Sequence, residues 1–213
     1  MSDTKNMKII LADLQSQILS AWRQIAGDKD YVSPQHGSIF EIKCDAMVTP
    51  ANSFGFMDGG IDMAVSRFFG WQIQERLQKQ IQTKHHGELL VGMAEIIPTG
   101  HAQIPYVISA PTMRVPMILN NTPNVYLAIR AALLLIKYGQ FEDGSAIASQ
   151  VNVVAFPGMG TGVGQVTPDV FARQMKQAVE EVIEEKYRFP ASWWEASQRH
   201  QQLYTNKIKD LQF

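Results

Sequence analysis

Between residues 151 and 164 the chain runs VNVVAFPGMGTGVG, and within a few residues a strand-like stretch gives way to four glycines in seven. An apolar, β-branched run closed by proline predicts a buried strand. Alternating glycines cannot continue it, because each lacks a side chain to pack and each tolerates positive φ. The pair therefore requires a core strand that ends in a loop of nearly bare main chain. Consecutive N–H groups in such a loop can converge on one anion. At the end of a sheet they suit a phosphate or diphosphate without a lysine. The structural alternative is a plain strand-to-helix connection with surplus glycines.

Around that point, strands and helices alternate. Met7 to Leu11 predicts a strand, and apolar residues at Leu14, Ile18, Ala21, Trp22 and Ile25 predict a helix that stops at Gly27. Extended chain is expected near Tyr31 and Val32, and KCDAMVTP gives a third strand stopped by Pro50. Met63 to Lys84 has a helical period broken at Gly70, with Ile73, Leu77 and Ile81 on one face. MAEIIPT and PYVISAP suit neighbouring strands, Met113 to Asn124 a surface loop, and Asn124 to Tyr138 a largely buried helix. Thr167 and Pro168 suit the cap and first position of a helix reaching about Lys186, and FPASWWEASQRHQQLY predicts a last one. The pattern argues for an α/β fold of three layers, α/β/α, with helices on both faces of a mixed sheet. One domain over residues 1–190, with a C-terminal helical extension over 191–213, is the expected organisation.

Composition excludes several function classes. Lys and Arg number 19 against 20 Asp and Glu, a net charge of -1, so no overall field draws nucleic acid or an anionic membrane. No run approaches the roughly 20 apolar residues of a membrane span. MKIILADL is short and carries Asp13, unlike a signal peptide, which makes a cytoplasmic protein the expectation. The single Cys44 has no disulfide partner in the chain and suits a buried thiol rather than a nucleophile. None of the 5 histidines has metal-ligand spacing with Cys or acidic residues, so solvated histidines and neither metal nor cofactor are expected.

A second glycine segment, NSFGFMDGGID, lies at residues 52–62 before a helix start. GMGTGVG fits a dinucleotide fingerprint only loosely, since Glu180 and Glu181 fall inside the next helix instead of after a second strand. Asp13 after the first strand is compatible with a nucleotide-dependent methyltransferase, but the glycine-rich turn such a fold places first is missing.

Taken together, the two glycine segments resemble one family. GSIFEIKCDAMVTPANSFGFMDGGIDMAVSRFFG, Gly37 to Gly70, resembles without a gap the signature region of macrodomains, the ADP-ribose-binding α/β modules. GMAEIIPTGHAQIPYVISAP and VAFPGMGTGVG resemble two later family stretches in the same order, so the likeness runs from about Gly37 to Lys186. It implies a macrodomain-like mixed sheet and a ligand site formed by Ser38, Ile39, Ala51, Asn52, Asp58, Gly59, Gly60 and Ile61. Pro157, Gly158, Met159, Gly160, Thr161, Gly162, Val163 and Gly164 would complete it. By the same resemblance Asn52 bonds the distal ribose, the loop at 158–164 wraps the diphosphate, and Asp62 stands beside the scissile bond. The implied activity is binding of ADP-ribose or an ADP-ribosyl group, with hydrolysis of an ADP-ribose linkage on a protein, nucleic-acid or metabolite acceptor. A non-catalytic reader is the alternative, and neither reading fixes an oligomeric state.

The chain also departs from the family pattern. Ser38 stands where an Asp usually binds the adenine amino group, and a hydroxyl accepts there without charge. Gly164 replaces an aromatic residue, which leaves Phe54 or Phe56 to close that side. Met57 and Asp58 replace two glycines, and Ser66 and Ser109 replace two histidines. Purely structural roles are available too: Asp62 at a helix N-terminus, Asp58 as a cap or loop acceptor, Asn52 as a turn-former. Trp193 and Trp194 suit packing anchors for the last helix rather than base-stacking groups.

Overall fold

The computed structural model describes residues 7–211. Six strands form one sheet: β1 (Lys8–Asp13), β2 (Val32–His36), β3 (Ala46–Thr49), β4 (Glu95–Pro98), β5 (Tyr106–Ser109) and β6 (Val153–Phe156). Their order across the sheet is β2-β1-β6-β3-β5-β4. All neighbours run parallel except β4, which lies antiparallel to β5 at the edge. Parallel strands need crossovers, and here helices supply them. Between strands lie α1 (Ser16–Ala26), α2 (Gly60–Phe69), α3 (Gln72–Lys84) and α4 (Asn124–Tyr138), whereas α5 (Pro168–Val182) and α6 (Trp193–Gln202) follow β6.

The layers follow from alternation along the strands. Ile9, Leu11, Val48, Ile108, Val154 and Phe156 share one core with α1, α4 and α5. Met47, Ile97, Val107 and Ala155 share the other with α2 and α3. Strand β3 is buried along its whole length, as a strand covered on both faces must be. The three-layer mixed α/β sheet expected from the sequence is the fold.

Some boundaries differ from expectation. Helix α2 opens at Gly60, ahead of the apolar period, so the second glycine segment contributes its first turn. Helix α5 stops at Val182, and the chain turns into positive φ at Glu185. Thr167 occupies the cap position of α5, but its side chain makes no cap bond. Helix α6 is capped instead by side chains: Ser192 Oγ accepts from Glu195 N at 3.1 Å, and Glu195 Oε2 accepts from Ala191 N at 2.6 Å. Trp193 and Trp194 do not anchor it, for they remain 58% and 42% exposed. The anchors are Ser197, Gln201 and Leu203, which are buried, and Arg173 of α5, which donates to Gln202 O at 3.2 Å and Asn206 Oδ1 at 3.0 Å.

One consequence of strand order governs the site. Strands β1, β6 and β3 are consecutive and parallel, so their carboxyl ends lie along one edge. The segments that follow them, 14–15, 157–164 and 50–59, therefore meet, and ligand crevices of open α/β sheets form at such edges.

Candidate functional site

A cleft of about 290 Å³ opens at that edge. Its walls include Asp13 and Gln15 after β1, Pro50 to Asn52 after β3, Asp58 to Asp62 at the start of α2, and most of the glycine loop after β6. Thr112, Met113 and Pro116, from the loop after β5, complete the rim. The two glycine segments, about 100 residues apart in sequence, face one space.

Their main-chain donors are free. Among the described residues, no N–H from Met159 to Gly164 donates a hydrogen bond within the chain. The same holds from Gly59 to Asp62, the N-terminus of α2, where orphan donors and the helix dipole both favour an anion. Gly60 and Gly160 hold φ of 54° and 75°, which glycine adopts without strain. The loop is braced from within: Thr161 Oγ1 donates to Gly158 O at 2.7 Å, and Val166 N to Gly160 O at 3.1 Å. Asp13 braces it from β1, its Oδ2 accepting from Gly158 N at 2.9 Å and its Oδ1 from Gln15 N at 2.8 Å.

Asp62 is the buried acid of the cleft. It lies in the first turn of α2 with 8% exposure, and Thr49 Oγ1 donates to its Oδ1 at 2.5 Å. Burial pushes its carboxyl up to about 6, against the opposing pull of the Thr49 hydroxyl, and the Asp58 charge adds to the rise. A carboxyl tuned to that range can exchange a proton near neutral pH.

Asn52 is committed to its own turn. Its Nδ2 donates to Phe56 O at 2.7 Å, while its Oδ1 accepts from Phe54 N at 3.1 Å and Phe56 N at 3.2 Å. It still borders the cleft. Asp58 neither caps α2, a position Gly59 holds, nor accepts a side-chain bond among the described residues; it is exposed at the cleft mouth.

The comparisons with known proteins bear on this arrangement. The family model described as Macro domain matches residues 48–175, from β3 into α5. The chain belongs to the Macro domain family. An uncharacterized protein of Aquifex aeolicus is 37% identical over 143 residues, 67% of this chain and 77% of that protein. A second, from Aeropyrum pernix, is 32% identical over 142 residues, 67% of each. Among solved structures, the macrodomain of Mycobacterium tuberculosis DarG superposes with a TM-score of 0.56 at 18% identity, covering 69% of this chain and 88% of that one. A variant of the Oceanobacillus iheyensis macrodomain, solved with ADPR, gives 0.57 at 21% identity over 70% and 76%.

Of the residues expected at the ligand site, this macrodomain brings Ala51, Asn52, Asp58, Gly59, Gly60, Ile61 and Asp62 together with Pro157, Gly158, Gly160, Thr161, Gly162, Val163 and Gly164. Three lie elsewhere. Met159 points into the core with α4 and α5 and is fully buried. Ile39 is buried on the α2 and α3 side, and Ser38 Oγ accepts from Phe40 N at 3.3 Å at the start of a 3-10 turn. Ser38 borders a separate hollow with Gln35, His36 and Glu41.

Phe56, 55% exposed, takes a place on the rim, whereas Phe54 sits under the Arg114 guanidinium, 5.1 Å from its centroid. Gly164 has no room for a ring: a Cβ there would stand 2.6 Å from Gly160 O. Ser66 donates to Met57 O at 2.9 Å and holds the second glycine segment, while Ser109 Oγ is buried with no partner among the described residues.

Two expectations about other side chains change. His85 is not solvated but pairs with Glu95 at 2.9 Å, and His101 packs against Phe68 and Phe69. Sequence reasoning missed Thr49, Thr112, Met113 and Pro116 as site residues, because nothing in their local pattern marks them. Asp13 carried a signal, a lone acid at a strand end, that pointed to the wrong fold.

Proposed function

We propose that this macrodomain binds ADP-ribose or an ADP-ribosyl group in the cleft and hydrolyses the linkage between the distal ribose and its acceptor. The observation that carries the proposal is the meeting of two arrays of N–H groups without partners among the described residues, 59–62 and 160–164, on a cleft that also holds a buried acid. Two such arrays suit the two phosphates of a diphosphate, each oxygen replacing water by fixed donors. The ADPR carried by the Oceanobacillus iheyensis relative supports the choice of ligand.

In the proposed reaction, water attacks the anomeric carbon of the distal ribose as the bond to the acceptor breaks. Asp62 takes one proton from the attacking water, and the departing acceptor takes up one proton from solvent, so that the two transfers balance. Thr49 fixes one oxygen of Asp62, and the other accepts no hydrogen bond among the described residues, so the carboxyl has a defined orientation. Holding sugar and acid rigidly removes the translational freedom that a free water reaction must lose.

A reader without turnover is favoured by one observation, the commitment of the Asn52 amide to its own loop, which limits its contact with a ribose. Asp62→Ala separates the two. Turnover of an ADP-ribosylated substrate is expected to fall by about 100-fold or more, while ADP-ribose affinity measured by calorimetry changes only a few-fold. Wild-type protein that binds ADP-ribose but turns over no ADP-ribosylated protein, nucleic acid or metabolite is a reader. Heat on titration with S-adenosylmethionine, and none with ADP-ribose, would return the methyltransferase alternative.

A further inference from the structure

Among the described residues, the cleft has an acid on each wall and no basic side chain: Asp13, Asp58 and Asp62 line it, and no Lys, Arg or His does. Asp58 and Asp62 sit at the start of α2, where the helix dipole offsets their charge. Asp13 borders the glycine loop, where a negative charge opposes the binding of a phosphate anion.

Bracing alone leaves much of this group unused. Each carboxylate oxygen can accept twice, and Asp13 accepts one N–H on each, from Gly158 and Gln15. Acceptor positions remain on a residue that lines the cleft. The pairing of β1 with β2 sets Asp13 opposite His36, and Gly37 N donates to Asp13 O at 3.1 Å. Asp13 thus stands beside the segment that carries Ser38, while Ser38 itself turns to Phe40 and borders the other hollow.

We propose that Asp13 is the base-selecting residue of this cleft, receiving the exocyclic amino group of a 6-aminopurine, with Gln15 on the same wall. The proposal rests on the ADP-ribose reading and deepens it. An amino group donates to the remaining acceptor positions of Asp13. A 6-oxopurine presents a carbonyl oxygen there, lone pairs to lone pairs, and can satisfy the carboxylate only by shifting to bring its N1–H onto it. Ser38 has no part in this selection.

The test is calorimetric titration of the whole chain with ADP-ribose and with its hypoxanthine counterpart, inosine diphosphate ribose. Wild type is expected to prefer ADP-ribose by at least about 10-fold. Asp13→Asn keeps one acceptor oxygen for Gly158 N and gains a donor for a 6-oxo group, so the preference is expected to shrink below about 3-fold or invert. Ser38→Ala is expected to leave the ratio unchanged. Equal weakening of both ligands in Asp13→Asn, with the ratio kept, would mean that Asp13 only braces the loop and would overturn the proposal. So would a ratio lost in Ser38→Ala, or a wild type without preference. Failure of wild type to bind either ligand would remove the ADP-ribose reading and this one with it.

Discussion

At the scale of single residues, Asp62 couples the proposed chemistry to stability. Its folded-state value of about 6 lies above the usual 3.8, so between those values the folded state binds more protons than the unfolded one. Its favourable contribution is therefore complete below about pH 4 and is lost as pH rises through 6. At pH 7.5 the ionised group costs on the order of 3 kcal/mol at most. Asp62→Asn is expected to be more stable than wild type at pH 7.5 by about 1–3 kcal/mol, with the difference vanishing near pH 4 in parallel denaturant titrations. An equal difference at both pH values would mean that the carboxyl is not strained by burial. Turnover, in the same picture, falls below pH 6 as Asp62 takes up its proton.

Cys44 is the opposite case. Burial pushes its thiol up to about 12, with the Asp45 charge adding to the rise, so it stays protonated and inert. Iodoacetamide at pH 8 is expected to label it only after denaturation, as mass spectrometry would show; rapid labelling of the native protein would contradict its burial.

Among the elements, the glycine loop after β6 divides into positions that need glycine and positions that do not. Gly160 holds positive φ, and a Cβ there would lie 2.7 Å from Val125 Cγ2. Gly160→Ala is expected to cost about 1–3 kcal/mol in denaturant unfolding. A carboxylate at position 160 would therefore damage the fold as well as any anion binding. Gly162 has ordinary φ and open space around its missing side chain. Gly162→Glu is expected to leave the melting temperature within about 2 °C while its charge removes ADP-ribose binding in calorimetry. Retained affinity would show that the loop does not hold the diphosphate. Gly158 explains why the loop is braced where it is: a Cβ would meet Asp13 Oδ2 at 2.7 Å, so a bare N–H is what lets β1 grip β6's turn.

Across the whole molecule, helix α6 and the described residues after it stand apart from the cleft, for none of residues 191–211 lines it. They are nonetheless fastened to α5 through Arg173 and bury Ser197, Gln201 and Leu203. Ending the chain after residue 190 is expected to lower the melting temperature by about 2–8 °C, as a loss of 1–2 kcal/mol would, and to leave ADP-ribose affinity within a few-fold. A large loss of affinity without loss of stability would mean that the extension reaches the ligand.

The sequence by itself determined the strands and helices nearly completely, since hydrophobic period and glycine or proline stops are local signals that burial then obeys. It also marked the two glycine segments, because bare main chain is visible in composition. Three matters waited for the tertiary structure: that β1, β6 and β3 are neighbours, that Asp13 therefore meets Gly158, and that Ser38 turns away while Asn52 closes its own loop. Strand order is set by which faces find mutual burial over long separations, and that leaves no trace in the neighbouring residues. The Ser38 and Asn52 bonds are local, and the sequence offers them, but only the closed structure shows that they are made in place of a turn toward the cleft.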